Sequence, residues 1–191
     1  MNLNKNFSDE YLLCNRLHGA VTAAEARVLA DLVASSGARI CLDIGVANGG
    51  SALAMAKSLA AIGGSLHGID PMQIVEHDRV AEKLLASFGL SHIFKLHAMP
   101  THLAGPKLME EGVLFDMVFI DGMHCFEYKS IDAFFGDRLL KVGGYLIYLK
   151  GWWGGLGATR EMAEQKAGLP AERFSVGHFR ELLGKLAIRA A

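Results

Sequence analysis

Proline, cysteine and aromatic residues are all scarce in this chain: 4 Pro, 3 Cys and 8% Phe, Trp and Tyr in 191 residues. Cys14, Cys41 and Cys125 are odd in number, widely spaced and form no Cys-x-x-Cys pair, which excludes a disulfide framework or a zinc knuckle. Neither sign of charge dominates, with 19 Lys and Arg against 20 Asp and Glu, a net −1. That balance argues against a nucleic-acid or anionic-membrane partner, because such binders need basic residues to displace counterions. No apolar run approaches the ~20 residues that span a bilayer. The polar stretch Met1–Glu10 contains no hydrophobic signal segment. The expectation is a soluble, cytoplasmic protein; the near-neutral charge does not fix the oligomer, and a homodimer is one of the expected assemblies. Glycine, by contrast, is abundant: 22 residues of 191, well above the usual ~7%. With 51% hydrophobic residues the chain can also build a core without covalent staples.

The order of elements points to one α/β domain over residues 1–191. Ser8 and Asp9 precede a periodic segment to Leu17, and Thr22-Ala-Ala-Glu25 reads as a capping box opening a helix to about Ser35. Its apolar face comprises Ala23, Ala26, Val28, Leu29, Leu32 and Val33, and Gly37 is a suitable stop. Strands are then expected at Ala38–Leu42, Ser65–Ile69, Ile93–Leu96, Phe115–Ile120 and Val142–Leu149, the last opened by Gly143-Gly144. Helices are expected between them at Ser51–Ala61, Val75–Phe88, Thr101–Glu111 and Phe126–Leu140. Beyond the fifth strand, a helix is expected near Thr159–Ala167 and strands at Arg173–Phe179 and Lys185–Ala190. Such alternation predicts a doubly wound, mostly parallel sheet, Rossmann-like, with helices on both faces. Residues 1–37 supply N-terminal helices, 38–149 the binding core, and 150–191 a lid loop, a helix and C-terminal strands.

In an open parallel sheet, ligands bind beyond the carboxyl ends of the strands. The residues just past each strand are therefore the informative ones. Asp43-Ile-Gly45-Val46-Ala47-Asn48-Gly49-Gly50-Ser51 comes after the first, Asp70-Pro71 after the second, Asp121-Gly122-Met123-His124 after the fourth and Lys150 after the fifth. A dinucleotide fingerprint requires glycine where Ala47 stands, and Asp43 would repel a pyrophosphate. Asp70 lies 20 residues beyond Gly50, the spacing at which a carboxylate meets ribose hydroxyls. A nucleoside with a cationic head and no phosphates satisfies both facts, and S-adenosylmethionine is such a ligand.

The same residues carry a family resemblance over about Ala38 to Leu149. Leu42-Asp-Ile-Gly-Val-Ala-Asn-Gly-Gly-Ser51 resembles motif I of class I S-adenosylmethionine-dependent methyltransferases, and Gly68-Ile-Asp-Pro71 resembles their second acidic motif. Phe115-Asp-Met-Val-Phe-Ile-Asp-Gly-Met-His124 with Lys141-Val-Gly-Gly-Tyr145 resembles a small-molecule O-methyltransferase-like subfamily, the "methyltransferase 24" type. The resemblance implies that Asp43 and the loop Gly45, Val46, Ala47, Asn48, Gly49 and Ser51 hold the methionine part. It implies Asp70 and Pro71 at the ribose, the stretch from His97 through Ala98 and Met99 near the adenine, and Asp121 close to the transferred methyl. Its product would be S-adenosylhomocysteine.

Methyl transfer to a hydroxyl requires in-line alignment and removal of a proton. His124 is the candidate base, with Asp121 and Lys150 beside it. Metal-dependent relatives of the catechol type place a carboxylate where Lys150 stands, so this departure counts against a divalent metal; the expectation is that the lysine ammonium takes over stabilisation of an oxyanion. Duller roles compete at each position: Asp70-Pro71 and Asp121-Gly122 as turns, His124 as a helix cap, Lys150 as a solvated strand end. His92, His97 and His102 are expected on the surface or in loops. Trp152 and Trp153 would wall a pocket or pack on the core, and the glycine-rich stretch 151–157 would form a mobile lid. The alternative functions are a non-catalytic binding module with this fold and, less favoured, a nicotinamide oxidoreductase.

Overall fold

The computed structural model describes residues 21–149 and the backbone of 186–190. The helix expected before Leu17, Lys150, the tryptophan pair, the 151–157 loop and the elements expected at 159–167 and 173–179 lie outside the described residues. Helix α1, Ala23–Ser36, opens with the capping box read from the sequence. The Glu25 amide donates to Thr22 Oγ1 (3.3 Å) while the Thr22 amide donates to the Glu25 carboxylate (2.7 Å). Gly37 ends the helix in the left-handed region, as a residue without Cβ can. Ala26, Val28, Leu29 and Val33 are buried, whereas Ala23 is exposed.

The remaining elements run β1 Ile40–Ile44, α2 Gly50–Ile62, β2 Ser65–Ile69, α3 Met72–Val75, α4 Val80–Ser87, β3 Phe94–His97, α5 Thr101–Glu110, β4 Phe115–Ile120, α6 Phe126–Arg138, β5 Leu140–Leu149 and β6 Leu186–Ala190. They form one sheet of order β3-β2-β1-β4-β5-β6. The first five strands are parallel, and β6 pairs antiparallel with β5. Side chains alternate across the sheet. Cys41, Leu66, Met117, Phe119 and Ile147 pack with α1, α2 and α4 on one face. Leu42, Ile44, Ile69, Val118 and Ile120 pack with α5 on the other, joined by Phe115 across the irregularity in the β4–β5 pairing. Each such large side chain, removed from water, contributes about 1.5–3 kcal/mol. α6 joins the second face through Gly136, where a Cβ would stand 3.0 Å from Ile120.

Four expectations need correction. β1 runs two residues further than expected, so Asp43 is a strand residue, not a loop residue. The helix expected over Val75–Phe88 is two helices, broken where Asp78 and Arg79 take positive φ. β3 is displaced by one residue to end at His97, and His97 is buried, not on the surface. It contacts His67, ring nitrogen to ring nitrogen at 3.2 Å. Gly143-Gly144 do not open β5 but lie inside it. There Gly143 takes φ 81° and the register to β4 shifts between Phe115 and Met117, the signature of a bulge.

Candidate active site

The strand order reverses between β1 and β4, and the loops leaving these two strands meet there. The Asp121 amide donates to the Ile44 carbonyl (2.8 Å), and the Gly45 amide to the Ile69 carbonyl (2.9 Å). A Cβ on Gly45 would fall 2.3 Å from the Asp121 carbonyl oxygen, and its φ is +93°. Only glycine permits that approach. Gly49, at φ +85°, sits at the N-terminus of α2 with no side-chain cap. Neither Asn48 nor Ser51, its polar neighbours, takes that position; Ser51 Oγ donates to Asp43 Oδ2 (2.6 Å).

Carboxylates crowd this rim. Asp43 is fully buried, and burial, together with the nearby charges of Asp121 and Asp70, pushes its carboxyl well above the usual range despite the Ser51 hydrogen bond. Asp121, with its side chain 9% exposed, is pushed up to about 7 by burial and then by Glu25, against an opposing pull from Lys129. Asp132 on α6 lies under Gly122 and rises to about 6, mainly by burial. Asp70 is arranged differently. Its Oδ2 accepts from the Ala47 amide (2.6 Å) and Gln73 Nε2 (3.1 Å), and its Oδ1 from the Met72 amide (2.8 Å). Among the described residues, three buried side-chain oxygens have no hydrogen-bond partner: Asp43 Oδ1, Gln73 Oε1 and Asp121 Oδ1. All three are acceptors, and each costs free energy until a donor meets it.

A sequence model described as O-methyltransferase matches residues 10–176 of the chain. The chain belongs to that family. As an O-methyltransferase family member it also has relatives among solved structures. One is the O-methyltransferase TomG from Streptomyces achromogenes, involved in tomaymycin synthesis and determined in complex with S-adenosylmethionine. The match has 22% identity and TM-score 0.70, covering 88% of this chain and 80% of that one. Another is the O-methyltransferase from Bacillus cereus in complex with S-adenosylhomocysteine, at 18% identity and TM-score 0.70, with 86% and 80% covered. At these identities the likeness is one of fold. No curated protein matches the sequence.

In this O-methyltransferase family member, Asp43, Gly45, Val46, Ala47, Asn48, Gly49 and Ser51 surround the β1 turn, with Val46 and Asn48 buried. Pro71 is exposed at the start of α3, and Ala98 and Met99 are half-buried after β3. His124 is 57% exposed, with Nε2 3.7 Å from Asp121 Oδ1, too far for a hydrogen bond. Lys150 lies outside the described residues. Among those residues no three His, Cys, Asp or Glu side chains form a cation-holding group, and no helix is long and apolar enough to cross a membrane. Sequence reasoning missed three residues, Asp132, Glu25 and Gln73. Glu25 is legible in the sequence only as a cap, yet it is buried and acts electrostatically on Asp121. Gln73 carries no sequence signal, because its partners, Ala47 and Asp70, come together only when the β1 and β2 loops pack.

Proposed function

We propose that the chain transfers the methyl group of S-adenosylmethionine to a hydroxyl of a small molecule. The observation that carries this reading is the set of buried, donorless acceptors around the β1 and β4 turns. A ligand with N–H donors and positive charge relieves both the missing hydrogen bonds and the carboxylate repulsion. A pyrophosphate brings only acceptors and negative charge. The S-adenosylmethionine and S-adenosylhomocysteine held by the two structural neighbours support the same choice. Asp43 and the loop Gly45 to Ser51 would hold the methionine end, Asp70 and Pro71 the ribose, Ala98 and Met99 the adenine, and Asp121 the methyl end.

When bound, the donor supplies an electrophilic methyl group; the chain must orient the acceptor hydroxyl and take its proton. His124 suits the second task. Burial and the Lys129 charge hold its pKa below the ordinary histidine value, so the neutral imidazole that can accept a proton predominates at pH 7. Lys150, the next residue after β5, would face the developing oxyanion. Substrate selection falls to residues 1–37 and 150–180, which flank the binding core. S-adenosylhomocysteine is expected to raise the melting temperature, NAD to leave it unchanged, and labelled methyl groups to appear on hydroxylated metabolites. A shift with NAD alone would overturn the proposal. Binding of S-adenosylhomocysteine with no methyl transfer to any hydroxylated acceptor would favour a binding module instead.

A further inference from the structure

Three non-glycine residues have positive φ among the described residues. Asp78 and Arg79 lie in the exposed break between α3 and α4, but Ala47 (φ 43°) lies inside the β1 turn of the candidate site. An alanine resists this conformation, so something must hold it. The hold is applied at both ends of the residue. The Ala47 amide donates to Asp70 Oδ2 at 2.6 Å, and the Ala47 carbonyl accepts from Gln73 Nε2 at 2.6 Å. Gln73 Nε2 donates its second proton to the same Asp70 oxygen at 3.1 Å, closing a ring of three residues. Gln73 is fully buried, and Asp70 is 5% exposed.

We infer that Gln73 is a positioning residue: it locks Ala47 in the left-handed conformation and so presets the β1 turn for the methyl donor before the donor arrives. A primary amide is required because the task needs two N–H donors on one atom. Glutamate has none when ionised and would place a second negative charge against Asp70. The ring also gives Asp70 a role in shaping the turn as well as any contact with a ligand. A preset turn raises affinity by removing an ordering cost from binding. It leaves the chemical step untouched once the donor is bound.

This inference rests on the reading that the methyl donor occupies the β1 turn, and the full chain can test the two separately. Gln73→Met keeps the length and volume while removing both donors. The variant is expected to bind S-adenosylhomocysteine about tenfold more weakly by calorimetry, with kcat at saturating donor within about twofold of the parent. Adding Ala47→Gly should recover most of the lost affinity, since glycine enters the left-handed region without the steric cost. Hydrogen exchange at the Ala47 amide should accelerate roughly tenfold in the variant without any ligand. Unchanged exchange overturns the inference whatever binds. Loss of affinity that tracks a fall in melting temperature and is not recovered by Ala47→Gly also overturns it, by reducing Gln73 to a packing residue. If the parent chain itself fails to bind S-adenosylhomocysteine, the donor reading falls while the exchange experiment still decides the clamp.

Discussion

Asp121 combines three properties seldom found together: a strand-end position, a carboxyl raised to about 7, and an oxygen with no donor. A cation settling beside it favours the ionised form, so binding lowers its pKa and releases a proton. Affinity for S-adenosylmethionine should therefore rise as pH increases through about 7 and level off above it, because the group that must be deprotonated then already is. S-adenosylhomocysteine has no charge on sulfur and should show a shallower slope. Calorimetry across this range, in buffers of different ionisation enthalpy, measures both the slope and the released proton. Asp121→Asn should flatten the slope for S-adenosylmethionine. Equal slopes for the two ligands would show that Asp121 does not meet the sulfonium.

At the scale of elements, one side chain ties three strands together. Asp116 in β4 accepts from the backbone amides of Arg39 and Ile40, at the start of β1, at 2.9 Å each. It also accepts from Lys141 Nζ, at the bulge of β5, at 2.7 Å. Burial raises its carboxyl, but the Lys141 hydrogen bond and charge and the two amides outweigh that and hold it below the usual range. A depressed carboxylate stabilises the fold above its unfolded pKa and loses that contribution as pH falls through the folded value. Asp116→Ala should therefore lower the melting temperature by a few degrees at neutral pH, for a loss of about 1–2 kcal/mol. The gap should close as the pH drops below 3.8. Melts of both proteins at about pH 7 and pH 3 check it.

These elements also show what a sequence can and cannot reveal. β2 and β4 have the bounds expected from their apolar runs, Ser65–Ile69 and Phe115–Ile120, because turn-forming residues bracket each. The break at Asp78 and Arg79 carries no glycine or proline to mark it, and so the sequence hides it. Gly143-Gly144 reads as a strand start, because a bulge and a turn use the same residue for the same backbone reason. At the site, strand-end carboxylates are legible from position alone. The Ala47 amide on Asp70, the coupling of Glu25 to Asp121 and the Gln73 bond to the Ala47 carbonyl are not, since each depends on two segments distant in sequence meeting in space.

At the scale of the whole molecule, family membership sharpens the question of metal. Lysine comes directly after β5 at position 150, where metal-dependent relatives are expected to place a carboxylate. Lys150→Met should lower kcat about ten- to a hundredfold, the worth of a charge-assisted hydrogen bond to an oxyanion. Incubation with a chelator should leave the parent's turnover unchanged. Turnover that is insensitive to Lys150→Met but rises with added Mg²⁺ would reverse the assignment.

The antiparallel sixth strand has a consequence for how such a protein can change. β5 ends at Leu149, at the carboxyl rim of the sheet, and Leu149 pairs with Leu186 at the start of β6. The chain therefore leaves β5 and enters β6 at neighbouring points on the rim that carries the candidate site. Leu149 and Leu186 are paired strand to strand, so an insertion or deletion between them leaves the register of the sheet intact. The entropic cost of closing such a segment rises only with the logarithm of its length, about 0.6 kcal/mol per doubling. Over evolution, the part of the chain proposed to choose the substrate can be rewritten or resized while the part proposed to hold the methyl donor stays in place.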